Sequence, residues 1–76
     1  MKNILIVEDN EIIVKGLKYL LEQEKFSVNV CLNMEDAMNL IGKEEIDLAI
    51  LDITLPDGSG FSLCEYIKQY SDIPVI

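Results

Sequence analysis

Asp47-Leu48-Ala49-Ile50-Leu51-Asp52-Ile53-Thr54-Leu55-Pro56-Asp57-Gly58-Ser59-Gly60 is the stretch on which the fold is decided. Leu48 to Leu51 are apolar without alternation, which suits a strand buried on both faces of a parallel sheet. The run stops at a carboxylate, Asp52. Pro56, Gly58 and Gly60 then mark a loop, after which apolar residues return at helical spacing. A strand that ends in an acid and passes through a loop to a helix is where open α/β sheets bind their ligands.

The flanking sequence repeats this logic. Ile4 to Val7 form a second unalternated run, and it too ends in acids, Glu8 and Asp9. Asn10 is a good cap for the helix that follows, because its side chain can accept an unpaired backbone N–H. Ile13, Leu17, Leu20 and Leu21 supply the apolar stripe of that helix, and Gly16 within it reads as a close-packing position. Phe26, Val28 and Val30 alternate with Ser27, Asn29 and Cys31, the period of a half-exposed edge strand. Asn33 and Asp36 resemble a capping pair ahead of Ala37, Leu40 and Ile41, and Gly42 marks the stop.

After the deciding stretch, a helix from about Ser59 carries Leu63, Cys64, Ile67 and Tyr70. Ile73 to Ile76 begin a fourth strand, with Pro74 near its start, where a missing N–H does least harm. Thr54 and Ser59 read as turn and cap residues and Asp57-Gly58 as a turn. Tyr19, Tyr66 and Tyr70 read as packing residues at the margin of the core. The order is βαβαβαβ, with crossovers long enough for parallel, right-handed connections.

Composition narrows the function. The 76 residues make one small domain, which buries roughly 60% of its unfolded surface and is therefore marginally stable. Fourteen acids against six basic residues, all lysine, give a net charge of −8. Such a surface repels nucleic acid and anionic membranes and favours cations or a basic partner. The absence of histidine excludes Ser–His and thiol–imidazole catalysis and the usual zinc sites. Cys31 and Cys64, each alone in an apolar pattern, read as buried thiols in a reducing compartment, and the cytoplasm is the expected location. The apolar run near the N-terminus is too short for a signal peptide or a membrane span.

If the first and third strands are neighbours, Glu8, Asp9 and Asp52 converge at their carboxyl ends. Like charges so placed repel one another unless a cation joins them. An all-oxygen, all-anionic cluster suits a hard ion, Mg²⁺ above all. One carboxylate then stays free to attack phosphorus and form an acyl phosphate. Alone, Asp52 reads equally well as a loop acid or a cap, and Glu8 and Asp9 as acids favoured ahead of a helix. Acids at two strand ends, followed by Leu-Pro and a glycine-rich turn, are a far more specific combination.

The segments ILIVEDN and LAILDITLPDGSGF resemble the receiver domain of two-component response regulators, and LPDGSGF resembles the subfamily whose receivers precede a winged-helix DNA-binding domain. The likeness runs from Lys2 to the chain end. It implies a flavodoxin-like, doubly wound parallel sheet. Here that sheet would be truncated to about four strands, in the order 2-1-3-4, with three helices. It implies that Asp52 is the phosphoacceptor, fed from the phosphohistidine of a sensor histidine kinase or from a small phosphodonor. Asp9 would bind Mg²⁺ directly, Glu8 through water, and the backbone carbonyl of Thr54 would be a further ligand. The chain would act as a signalling module and not as an enzyme in the ordinary sense.

Residues 1–76 would then be a partial receiver ending within strand four, with the family's last strand and two helices outside it. The family's switch Ser/Thr and its phosphate-binding Lys follow that point, and Lys43 and Lys68 sit on other elements. The alternative reading is a phosphorylation-impaired receiver that self-associates as a structural protein, through the strand-four edge and an uncovered sheet face. A phosphatase of the haloacid-dehalogenase type also uses an Asp after a buried strand. It needs a second Asp two residues on, where this chain has Thr54.

Overall fold

The computed structural model describes residues 2–76 and leaves the Tyr70 side chain, assigned above to the core margin, outside the described residues. Three strands form a parallel sheet in the order β2-β1-β3: β1 is Asn3–Val7, β2 Ser27–Cys31 and β3 Leu48–Leu51. The helices are α1 (Glu11–Gln23), α2 (Met34–Ile41) and α3 (Gly60–Tyr70). The alternating pattern of β2 places it at the sheet edge, as its periodicity requires. The expected fourth strand is reduced to a single bridge. Val75 forms an isolated parallel bridge to Ala49, and Ala49 N–H donates to the Pro74 carbonyl at 3.0 Å. Leu51 N–H donates to Ile76 O at 3.1 Å and Ile76 N–H to Ala49 O at 2.9 Å. The segment Ile73–Ile76 therefore lies beside β3, where the expected fourth strand belongs, without forming a strand of the sheet.

Burial follows the strand alternation. Leu5, Val7 and Ala49 pack on one face with Ala37 of α2 and with Leu63 and Ile67 of α3. On the other face Ile4 and Ile6 are buried, as is Val14 of α1. Leu48 and Ile50 on β3 are only half-buried. The expected α1 stripe is corrected in part: Leu17 and Leu21 are half-buried and Val14 is buried, while Ile13 is 47% and Leu20 63% exposed. Tyr19 is likewise exposed and not a core-margin residue, whereas Tyr66 packs against the core.

The caps are as the sequence predicts. Asn10 Oδ1 accepts from the Ile12 and Ile13 amides at 3.0 and 3.3 Å. Asn33 Oδ1 accepts from Asp36 N–H at 2.8 Å, and Ser59 Oγ from Ser62 N–H at 3.1 Å. The end of α1 is less orthodox. Phe26 N–H reaches Leu21 O at 3.1 Å and Lys25 N–H reaches Glu22 O at 3.0 Å, a double closure that places Lys25 at φ 66°. Glycine usually holds that position, since a side chain there costs about 1 kcal/mol. Gly16, in contrast, is no close-packing site: a Cβ there would meet nothing within 4 Å.

The helix thus has glycine where alanine would serve and lysine where glycine would. We expect Gly16→Ala and Lys25→Gly each to raise stability by about 0.5–1 kcal/mol. Urea unfolding followed by circular dichroism checks both, and a lowered midpoint for Gly16→Ala would show a partner for that helix face.

Candidate metal-binding carboxylate site

The sheet register builds the site. Val7 lies opposite Cys31 on one side and Leu51 on the other, so the residues that follow these strands emerge at one edge. Two backbone hydrogen bonds continue the ladders past the strand ends: Asp52 N–H donates to Val7 O at 2.9 Å, and Glu8 N–H to Cys31 O at 3.1 Å. Glu8, Asp9 and Asp52 are thereby gathered, each offering a carboxylate oxygen, all within 4.8 Å of one another. Glu8 and Asp52 are half-buried and Asp9 is exposed. Glu8 Oε1 also accepts from Asn10 N–H at 3.1 Å, fixing the turn into α1.

The donor set is hard oxygen, anionic and free of imidazole, which fits Mg²⁺ and suits zinc poorly. Thr54, also expected as a ligand through its carbonyl, opens a two-residue strand, β4 (Thr54–Leu55). This strand pairs antiparallel with β5 (Gly58–Ser59), so the segment read from sequence as open loop is a small hairpin.

Two glycines shape the hairpin, for different reasons. Gly60 donates its N–H to Ile53 O at 2.8 Å, and a Cβ at Gly60 would collide with the Asp52 carbonyl oxygen. Only glycine lets the chain return this close to Asp52. A Cβ at Gly58 would lie 2.8 Å from the thioether end of Met34, which can swing away.

Asp57 is the residue that sequence reasoning missed. It is not plain turn chemistry: Oδ1 accepts from Met34 N–H at 2.7 Å and Oδ2 from Glu35 N–H at 3.0 Å. Those two amides, Met34 first, hold its carboxyl below the usual aspartate range. A carboxylate with a depressed pKa contributes stability at neutral pH that is lost as the pH falls below about 4. The bonds span 23 and 22 residues, and Asn33 already caps α2, so no local pattern announces Asp57. Cys31 is buried and Cys64 half-buried, both free thiols. Burial, and secondarily the Asp36 charge, push the Cys31 thiol pKa up and leave it unreactive.

Comparison with known proteins bears on family and fold. The family described as the response regulator receiver domain matches residues 4–76. The heme response regulator HssR of Staphylococcus saprophyticus is 36% identical over 76 residues, all of this chain and 34% of its own length. Among solved structures, the non-phosphorylated HemR receiver domain from Leptospira biflexa superposes with a TM-score of 0.88 at 41% identity, covering 99% of this chain and 61% of that one. The response regulator TrrA from Thermotoga maritima, solved with Mg²⁺ and BeF, gives 0.92 at 34% identity, covering 99% and 66%. TrrA has also been solved in complex with the histidine kinase ThkA. The chain thus spans about a third of the length of the curated relative.

The glycine pair is testable. Gly60→Ala is expected to lower stability by about 3 kcal/mol, the upper end of overpacking costs, because backbone cannot yield as a side chain does. Gly58→Ala loses less, since Met34 moves. Equal losses in urea unfolding would show that the approach of Gly60 to Asp52 is not the tighter constraint.

Proposed function

The chain belongs to the response regulator receiver family, and from that premise we propose that Asp52 accepts a phosphoryl group, with Mg²⁺ held by Glu8, Asp9 and Asp52. Receiver domains of this family are signalling modules and not enzymes in the ordinary sense. The observation that carries the reading is the convergence of the three carboxylates, two following β1 and one following β3. Among the described residues, no helix is long and apolar enough to cross a membrane, and the proposed setting is the cytoplasm.

Glu8 and Asp9 enter from one strand and Asp52 from its neighbour, so the two groups sit in fixed register. The Thr54 carbonyl, two residues after Asp52, is proposed as a further ligand. When bound, Mg²⁺ would offset the repulsion among the carboxylates and the charge on the phosphoryl oxygens. A carboxylate oxygen of Asp52 attacks phosphorus and forms an acyl phosphate. The bond from phosphorus to the donor breaks, and its electron pair leaves with the donor. The proposed donor is the phosphohistidine of a sensor kinase, and the TrrA–ThkA complex shows a receiver and a histidine kinase in one assembly.

A second reading is favoured by the apolar surface of α1. Ile12 is 83% exposed, and Ile13, Tyr19 and Leu20 are exposed on the same helix. Exposed apolar patches favour association. This reading makes the chain a self-associating protein, with a second copy covering these residues.

Incubation with acetyl phosphate and Mg²⁺, followed by intact-mass spectrometry, tests the first reading. The native chain is expected to gain one phosphate and Asp52→Asn none. A folded native chain that binds Mg²⁺ and stays unmodified would sink it. For the second, light scattering at micromolar concentration is expected to show a dimer or larger species, dissociated by Leu20→Lys; a monodisperse native monomer overturns it.

A further inference from the structure

The backbones of Glu8 and Asp52 belong to a circuit closed by short chain segments and hydrogen bonds. Asp52 N–H to Val7 O, at 2.9 Å, joins the end of β3 to β1. One residue on, Glu8 N–H to Cys31 O, at 3.1 Å, joins β1 to β2. Three residues beyond Cys31, the Met34 amide meets Asp57 Oδ1 at 2.7 Å, and the Glu35 amide meets Oδ2 at 3.0 Å. From Asp57 the chain returns through β4 to Asp52, and Gly60 N–H to Ile53 O, at 2.8 Å, closes the base of the hairpin. In this circuit the sheet and hairpin links are backbone to backbone, and the link from hairpin to α2 is made by the Asp57 side chain.

That link bears on the cation site. The parallel ladders locate Glu8 and Asp52, but the backbone just after Asp52 has left the sheet. It enters a hairpin of two residues per strand, too short to be stable alone, which is held to the rest by the burial of Leu55 and by Asp57. Two charge-assisted bonds to a helix N-terminus are a strong anchor for such a segment. Asn33 serves a different amide, that of Asp36 at 2.8 Å, so Asp57 caps the first two amides of α2 and in doing so ties them to a segment 22 to 23 residues away.

We infer that Asp57 is a positioning residue for the cation site: by fastening the β4–β5 hairpin to α2, it fixes the chain that follows Asp52 and thereby sets divalent-cation affinity. The inference rests on the reading of Glu8, Asp9 and Asp52 as an Mg²⁺ site and deepens it. Asp57 touches neither cation nor phosphoryl group. It acts through the backbone of residues 53–56.

Calorimetric titration of the 76-residue chain with Mg²⁺ tests this. Asp57→Ala is expected to weaken binding about tenfold, the lower end of what outer hydrogen-bond partners of metal sites contribute. Asp57→Asn should lose less, because its carboxamide oxygen still accepts one amide. Two controls separate positioning from other causes. Asn33→Ala removes the local α2 cap and lowers the urea midpoint, and Glu35→Gln removes one charge from the same helix end; both should leave Mg²⁺ affinity close to native. Asp57→Ala with native affinity, or Asn33→Ala with an equal loss, overturns the inference while leaving the Mg²⁺ site standing. If Asp57→Ala does not fold, Asp57→Asn decides, and native affinity there has the same meaning. A native chain with no saturable Mg²⁺ binding sensitive to Asp52→Asn overturns the site reading and this inference with it.

Discussion

Parallel pairing of β1 with strands on both sides is the constraint from which the rest of the molecule follows. Because Val7 stands opposite both Cys31 and Leu51, residues one or two positions beyond these strands have no choice of edge. Glu8, Asp9 and Asp52 are therefore neighbours by register and not by any attraction between them. Their mutual repulsion, on the order of 1–3 kcal/mol per close pair at the effective dielectric of a protein surface and less in salt, opposes the fold. What outweighs it is the burial of Ile4, Leu5, Ile6 and Val7, all nearly inaccessible to solvent. An apolar strand holds an anionic cluster together.

The two faces of the sheet are covered unequally. Helices α2 and α3 close one face over a continuous core that reaches from Leu5 to Ile73. On the other, Val14 of α1 is buried while Leu48 and Ile50 on β3 remain half-open. The same asymmetry explains why the α1 stripe narrows to Val14, Leu17 and Leu21. A helix buries the arc that has something to pack against, whatever its sequence offers. Ile13 and Leu20 lie outside that arc.

Around Asp52 the backbone is set by exclusion and by one long-range anchor. Gly60 admits a carbonyl where any side chain would collide, and Asp57 reaches across to α2. Both act on the same short segment, from opposite ends of the hairpin. The segment after Asp52 is thus closely specified by its own residues.

Much of this could be read from sequence alone, for identifiable reasons. Unbroken apolar runs marked the central strands, alternation marked the edge strand, and the caps at Asn10, Asn33 and Ser59 were legible because capping is a local bond between near neighbours. The convergence of Glu8, Asp9 and Asp52 followed once strand order was assumed, since the acids sit at strand ends. Other features had no local signature. The exposure of Ile13 and Leu20, the free space at Gly16, the left-handed Lys25 and the grip of Asp57 on α2 depend on which elements lie nearby and at what distance. Periodicity and capping are written in neighbouring residues and so were determined by the sequence by itself. Coverage of a face and bonds across 22 or 23 residues exist only after the chain has packed, and these the tertiary structure alone decided.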